Sequence, residues 1–151
     1  MIPILELNQK KNNIMKRNGT AIWKGSLKEG KGTISTQSGI LDKTQYSFKT
    51  RFEDGKGTNP EELIGAAHSG CFTMQLSANL TEEGFEPDEL ETKSEITFED
   101  GAVKKSHLIL KAKVKGIEKE QFEKIANDAK ENCPISKLLD TEITLESELI
   151  Q

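Results

Sequence analysis

The fold of this chain is decided by residues 58–80, which read Thr58-Asn-Pro-Glu-Glu-Leu-Ile-Gly-Ala-Ala-His-Ser-Gly-Cys-Phe-Thr-Met-Gln-Leu-Ser-Ala-Asn-Leu80. Asn59 is a favoured N-cap residue, and Pro60 suits the first helical position because no backbone N–H is needed there. Glu62 follows Asn59 at the spacing of a capping box. The stretch therefore predicts a long helix that begins next to Asn59.

Cys71 lies in the middle of this helix, in a segment of small residues that includes Gly65 and Gly70. Each glycine weakens a helix by about 1 kcal/mol relative to alanine, so we expect another backbone to approach closely here. A thiol reacts as its thiolate, and a helix N-terminus lowers a thiol pKa only within its first turn. Because Cys71 lies about three turns into the helix, a cation from elsewhere is needed to make it reactive.

Composition and charge narrow the class of protein. The chain has 151 residues, of which 30% are charged and 34% hydrophobic, and its formal net charge is −4. This length is typical of one domain with its own core. A weak charge of mixed sign argues against a nucleic-acid surface, and no apolar run approaches the ~20 residues that cross a membrane. Two cysteines without a signal peptide predict a reducing compartment and hence a cytoplasmic protein.

Residues 1–15 differ in pattern from the rest of the chain, and we interpret them as an N-terminal extension to a single domain of residues 16–151. The extension is either an arm that packs on a partner or a disordered tail. Alternating patterns predict three strands over residues 20–52, the last running through Phe48 and Phe52. Beyond the long helix we expect a hairpin, two helices and a last strand, at residues 90–114, 118–130, 134–139 and 141–149. This order predicts an α+β fold.

Cys133 directly precedes Pro134, and we place it at the N-cap of a short helix, where the helix dipole favours a thiolate. The residues alone leave three interpretations of Cys71 and Cys133 open. They can be small buried apolar residues, or zinc ligands together with His68 and His107, or a redox pair in which one thiol resolves the oxidised form of the other.

Three motifs resemble those of the OsmC/Ohr family, the osmotically inducible protein C and organic hydroperoxide resistance proteins. Residues 51–72, which join Arg51-Phe-Glu-Asp-Gly-Lys-Gly to the start of the long helix, resemble the long central signature of the family. The run Asn132-Cys-Pro-Ile-Ser136 is similar to its second cysteine motif. Residues 30–39 resemble the hairpin of the OsmC branch, as does Gly-Ala-Ala-His at residues 65–68. The resemblance covers about residues 16–150.

This resemblance implies a cysteine-based peroxidase without metal, haem or another cofactor. The implied fold has antiparallel sheets around a long central helix and forms an intertwined homodimer, with active sites at the subunit interface. Carried over to this chain, Cys71 is the peroxidatic cysteine and Cys133 is the resolving one. Arg51 is the cation that activates the Cys71 thiolate, and Glu61 holds Arg51 in place.

The implied reaction reduces organic hydroperoxides, and hydrogen peroxide less well, to alcohols in defence against oxidative and osmotic stress. Cys71 becomes a sulfenic acid, Cys133 condenses with it to an intramolecular disulfide, and a dithiol or lipoyl-type reductant restores both thiols.

The spacing of Glu61 and Cys71 bears on assembly. They are ten positions apart, or about 15 Å along a straight helix, which one arginine side chain would struggle to bridge. Two antiparallel copies of the helix, packed through Gly65, Ala66 and Gly70, can bring Glu61 of one subunit near Cys71 of the other. A kinked helix within one chain would satisfy the same requirement.

Two other functions compete with a peroxidase. The first is a thiol or zinc binding module or redox sensor without turnover, which stoichiometric zinc in the purified protein would support. The second is a binder of lipids or other small ligands in the dimer groove. That role leaves the set of Arg51, Glu61, Cys71 and Cys133 without a purpose.

Overall fold

The computed structural model describes residues 14–151, which form two compact units divided between Leu63 and Ile64. The N-terminal extension that the sequence predicts lies outside the described residues, except for Ile14 and Met15, which are exposed. None of the described helices is long and apolar enough to cross a membrane.

The first unit contains a three-stranded antiparallel sheet in the order β1-β2-β3. Its strands are β1 (Gly19–Lys24), β2 (Lys31–Thr36) and β3 (Thr44–Tyr46), and the short helix α1 (Phe48–Phe52) follows β3.

The predicted third strand was wrong beyond Tyr46, because residues 48–52 are helical. Ser47 accepts a hydrogen bond from the Thr50 N–H, and the Ser47 N–H donates to Thr50 Oγ1, so a reciprocal capping box starts α1. Phe48 and Phe52, which alternation placed on one face of a strand, are also four residues apart on a helix. Their ring centroids are 5.0 Å apart.

The second unit contains a three-stranded sheet in the order β4-β5-β6. Its strands are β4 (Glu89–Glu99), β5 (Ala102–Lys113) and β6 (Glu142–Ile150), with helices α3 (Lys119–Asn132) and α4 (Pro134–Leu138) between β5 and β6. The predicted hairpin turn is present, with positive φ at both Asp100 (52°) and Gly101 (76°). Because α3 and α4 form a crossover connection, β6 pairs parallel to β5, whereas β4 and β5 are antiparallel.

Helix α2 (Pro60–Glu82) is the long helix that the sequence predicts. Asn59 Oδ1 accepts a 2.7 Å hydrogen bond from the Glu62 N–H, which confirms the predicted N-cap. The helix is followed by Gly84 with a φ of 90°, and the Phe85 N–H donates to the Leu80 carbonyl at 2.8 Å. Side chains of α2 then pack into one buried core with side chains of β5 and α3, including Phe72, Leu76, Leu108, Leu110 and Phe122.

The glycines of α2 have different surroundings. Gly65 is buried, and a Cβ there would lie 3.0 Å from the carbonyl oxygen of Ser94 on β4. The close approach at Gly65 is therefore to the same chain, which corrects the expectation that Gly65 packs on a second copy of the helix. Gly70 and Ala66 are exposed, and within residues 14–151 no atom outside the adjoining turns of the helix lies within 4 Å of a Cβ built at Gly70.

We predict that Gly65→Leu lowers the free energy of unfolding by about 1–3 kcal/mol, because the added side chain overpacks the contact with the Ser94 carbonyl. Gln121→Leu, which places the same side chain on an exposed position of α3, is the matched control and should stay within about 0.5 kcal/mol of the parent. Urea unfolding measures both, and equal effects of the two substitutions would contradict the packing at Gly65.

Candidate active site

The four residues that the sequence assigns to the site fall into two pairs in the structure. Arg51 and Glu61 lie in the first unit, and Cys71 and Cys133 lie in the second. The structure brings together the members of each pair. The predicted approach of Arg51 to Cys71 stays a prediction.

Arg51 and Glu61 form a hydrogen-bonded ion pair between α1 and the first turn of α2. Arg51 Nε and Nη2 lie 3.0 and 2.9 Å from the same carboxylate oxygen, Glu61 Oε1. Asn59 Nδ2 donates to the Thr50 carbonyl at 3.1 Å, which fixes the two helix ends relative to each other. The Arg51 guanidinium also lies 5.2 Å from the ring centroid of Phe52. The structure therefore places the Glu61 carboxylate against the Arg51 guanidinium, whose positive charge is permanent.

Cys71 is half-buried on α2 and is a poor thiolate in its local environment. Burial raises the pKa of Cys71 from 9.0 to about 11; a hydrogen bond from the Ile135 backbone opposes this shift, and the neighbouring Cys133 adds to it. The helix itself supplies no opposing charge at this position. This agrees with the expectation that activation of Cys71 needs a cation from elsewhere.

Cys133 is fully buried and is the N-cap of α4, as the sequence predicts. Its sulfur accepts a 3.3 Å hydrogen bond from the Ser136 N–H and lies 3.4 Å from Ser136 Oγ. Burial alone would raise the pKa of Cys133, but hydrogen bonds from His68, from Ser136 and from Cys71 outweigh it and lower the pKa from 9.0 to about 7.

The two thiols are neighbours. Both cysteines are free, and the pKa of each responds to a hydrogen bond with the other. Cys133 ionises easily and Cys71 with difficulty, because a second thiolate would be repelled by the negative charge of the first. Two reduced thiols in this arrangement can hold one thiolate, and their proximity suits disulfide formation.

His68 is a site residue that the sequence assigned only to the zinc alternative. It is fully buried, with Nδ1 2.6 Å from Ser106 Oγ and Nε2 2.8 Å from Ser136 Oγ. The sequence offered one signal for Ser136. An N-cap side chain accepts a hydrogen bond from the backbone N–H up to three positions later, and Ser136 is three positions after Cys133. No sequence pattern pointed to Ser106, which lies on a distant strand.

The structure gives the zinc alternative no support. Both ring nitrogens of His68 face hydroxyl groups, and His107 is bound to Thr144 Oγ1 at 2.6 Å and to Glu146 Oε2 at 3.3 Å. Within residues 14–151, no group of three or more His, Cys, Asp and Glu side chains is arranged to hold a metal ion.

Comparison with known proteins gives one family. The family model described as "OsmC-like protein" matches residues 53–148. The chain is 46% identical over 137 residues to the peroxiredoxin OsmC of Escherichia coli, covering 88% of this chain and 96% of that protein. It is 30% identical over 121 residues to the organic hydroperoxide resistance protein OhrB of Bacillus subtilis, covering 78% and 88%.

Solved structures agree with these matches. The crystal structure of OhrB from Bacillus subtilis has a TM-score of 0.60 at 25% identity and covers 88% of this chain and 98% of that chain. An OsmC-like protein of unknown function from Vibrio cholerae has a TM-score of 0.69 at 19% identity, covering 89% and 100%, and shows the shared fold.

Proposed function

This chain belongs to the OsmC-like protein family, and on that premise we propose that it is a cysteine-based peroxidase that reduces organic hydroperoxides. The family resemblance in the sequence and the predicted α+β fold are confirmed. One relative is named a peroxiredoxin and another an organic hydroperoxide resistance protein. The observation that carries the proposal is the pair of reduced, neighbouring thiols with opposite pKa shifts, Cys71 and Cys133.

The exposure of the two cysteines supports the roles that we propose for them. Cys71 is partly exposed, whereas Cys133 is fully buried, so a hydroperoxide from solvent meets Cys71 first. The Cys71 thiolate attacks the terminal oxygen of the hydroperoxide, the O–O bond breaks, and the alkoxide takes up a proton to leave as the alcohol. Cys71 is thereby oxidised to a sulfenic acid.

Cys133 completes the turnover. Its thiolate attacks the sulfur of the Cys71 sulfenic acid, the S–O bond breaks, and the departing hydroxide takes up a proton to form water. The pKa of about 7 keeps a large fraction of Cys133 ionised near neutral pH. A dithiol or lipoyl-type reductant then exchanges with the disulfide and is itself oxidised.

Arg51 supplies the charge that Cys71 lacks. A pKa of about 11 leaves very little thiolate at neutral pH, so the first step needs a cation close to the sulfur when substrate is reduced. The Arg51 guanidinium is always charged and has five N–H donors, of which those on Nε and Nη2 face Glu61. We assign the same guanidinium the task of stabilising the Cys71 thiolate and polarising the peroxide oxygen.

We further propose a cytoplasmic homodimer, with residues 1–15 as an arm or tail outside the domain. The exposed side of α2 supports assembly, because Ala66, Gly70 and Met74 lie on one face and Met74 is 64% exposed. Such a dimer can bring Arg51 and Glu61 of one chain to Cys71 of the other.

Cysteine substitutions test the proposed chemistry. Cys71→Ser should abolish peroxide reduction, because a serine hydroxyl is not ionised near neutral pH. Cys133→Ser should consume about one peroxide per site and then stall or over-oxidise, since no resolving thiol remains. Peroxide consumption with an organic hydroperoxide, with dihydrolipoyl compounds or monothiols as reductant, measures both. If Cys133→Ser loses the first turnover while Cys71→Ser keeps it, the two roles are reversed.

Arg51→Lys tests the cation. The substitution keeps the charge but loses the planar fork that can bind Glu61 and the thiolate together, so the apparent pKa of Cys71 should rise and the rate should fall. Lys49→Gln removes a positive charge from the same short helix and serves as the control. Thiolate absorbance against pH gives the pKa, and a profile that Arg51→Lys leaves unchanged would remove Arg51 from the site.

Gly70→Leu tests the dimer. A leucine on the exposed face of α2 should force two packed copies apart, at a cost of about 1–3 kcal/mol to association, and activity should fall with dimer content. Gln121→Leu on α3 is the control of equal size. Sedimentation at several concentrations, with peroxidase assays on the same samples, measures the link. A fully active monomer would exclude a site built from two chains.

A further inference from the structure

We propose that His68 is a positioning residue for disulfide formation, because it holds the Ser136 hydroxyl in the orientation that the Cys133 sulfur requires. This inference rests on the proposed peroxidase function and concerns its second chemical step. His68 touches neither the hydroperoxide nor the reacting sulfur of Cys71 in this scheme; it acts through Ser136 and Cys133.

The geometry is a buried chain of hydrogen-bonding groups that ends at Cys133. Ser94 Oγ lies 2.9 Å from Ser106 Oγ, which lies 2.6 Å from His68 Nδ1. On the other side of the ring, His68 Nε2 lies 2.8 Å from Ser136 Oγ, which lies 3.4 Å from Cys133 Sγ. His68, Ser106 and Cys133 are each 0% exposed, and Ser136 is 8% exposed.

This series of hydrogen-bonding groups can stabilise the Cys133 sulfur both as a thiol and as a thiolate. A hydroxyl can both donate and accept, and a neutral imidazole has one donor and one acceptor nitrogen. When Cys133 is a thiol, its S–H donates to Ser136 Oγ and the Ser136 hydroxyl donates to His68 Nε2. When Cys133 is a thiolate, the Ser136 hydroxyl donates to the sulfur and His68 Nε2–H donates to Ser136. His68 can therefore satisfy Ser136 in both charge states, through either of its tautomers.

The proton balance of the step fits this arrangement. Cys133 loses its proton before it attacks, and the Cys71 sulfenic acid loses hydroxide as the S–S bond forms. The proton and the hydroxide combine to one water, so the step needs no outside oxidant or reductant beyond the hydroperoxide already consumed. The task of His68 is to keep the attacking sulfur ionised and hydrogen-bonded until the bond forms.

A packing role alone does not account for the histidine. Burying polar groups is costly unless they are hydrogen-bonded, and an apolar side chain of similar size fills space without needing Ser106 and Ser136. His68 is also foremost among the neighbours that lower the pKa of Cys133, although its ring nitrogens are bonded to Ser106 and Ser136 rather than to the sulfur. Among the described residues, the titratable groups that act on Cys133 are His68 and Cys71, both on α2.

The test compares two amides in place of the imidazole. In a Cys71→Ser background, Cys133 is the only cysteine, and its thiolate absorbance against pH gives its pKa without any peroxide. The amide of His68→Gln occupies the place of Nε2 and should keep the pKa near that of the parent. The amide of His68→Asn occupies the place of Nδ1, loses Ser136, and should raise the pKa of Cys133 by about one unit.

Single turnovers of the protein with both cysteines connect this shift to the reaction. With one equivalent of organic hydroperoxide, trapping of the Cys71 sulfenic acid should proceed at the parent rate in His68→Asn. Disulfide formation should slow by about five- to tenfold near pH 7 and recover as the pH is raised past the new pKa. His107→Asn, which alters the other histidine of the chain on β5, is the matched control and should change neither rate.

The following results would overturn the proposed role of His68. A folded His68→Asn protein with the parent thiolate titration and the parent rate of disulfide formation overturns the role of His68. If that variant does not fold, Ser136→Ala breaks the same link, and an unshifted Cys133 pKa in Ser136→Ala overturns the proposal equally. Failure of the parent protein to form a sulfenic acid with hydroperoxide would refute the peroxidase function instead, while the thiolate titration still decides the role of His68.

Discussion

Two neighbouring thiols in a protein interior hold one negative charge far more easily than two. Cys71 and Cys133 share a hydrogen bond, and each pKa depends on the other. The first charge settles on Cys133, where the N–H and hydroxyl of Ser136 face the sulfur. Cys71 then stays protonated until a cation reaches it. In the proposed mechanism the chemistry of the site is therefore ordered in advance, because the Cys133 thiolate is already prepared to resolve, whereas the Cys71 thiolate depends on Arg51.

The way α2 packs on the sheet of the second unit makes this order possible. Gly65 has no side chain, and the helix backbone lies so close to β4 that a Cβ would be 3.0 Å from the Ser94 carbonyl. His68 follows three residues later on the same side of the helix and reaches Ser106 on β5. A wider separation would leave the imidazole between strand and helix without its hydroxyl partner. The glycine thus contributes to the site although it touches none of the sulfur atoms.

Local signals in the sequence predicted much of this arrangement. The N-cap of α2, the hairpin turn at Asp100-Gly101 and the N-cap position of Cys133 depend on residues within a few positions of one another. The positions of Phe48 and Phe52 led to the wrong prediction of a strand. Residues four apart share one face of a strand and also one face of a helix, so this spacing does not distinguish the two structures. The reciprocal hydrogen bonds of the Ser47–Thr50 capping box favour the helix at residues 48–52.

The rest of the site depends on contacts between distant segments. His68 is bonded to residues 38 and 68 positions away, and the parallel pairing of β6 depends on how α3 and α4 return the chain. A single sequence holds no periodicity that specifies such contacts. Cys71, Cys133, Arg51 and Glu61 were predicted as site residues because they lie in the motifs that resemble those of the family. Ser106 lies on β5 outside these motifs and was not predicted.

The N-cap position of Cys133 also links the redox state to local order. In the reduced protein, the first turn of α4 is held by a sulfur that carries charge over part of the neutral pH range. A disulfide sulfur is uncharged and a weak acceptor, so oxidation takes away the charge-assisted bond from the Ser136 N–H. We expect α4, only five residues long, to open more often in the oxidised protein. Such opening would expose a buried disulfide to its reductant and close again once both thiols are restored.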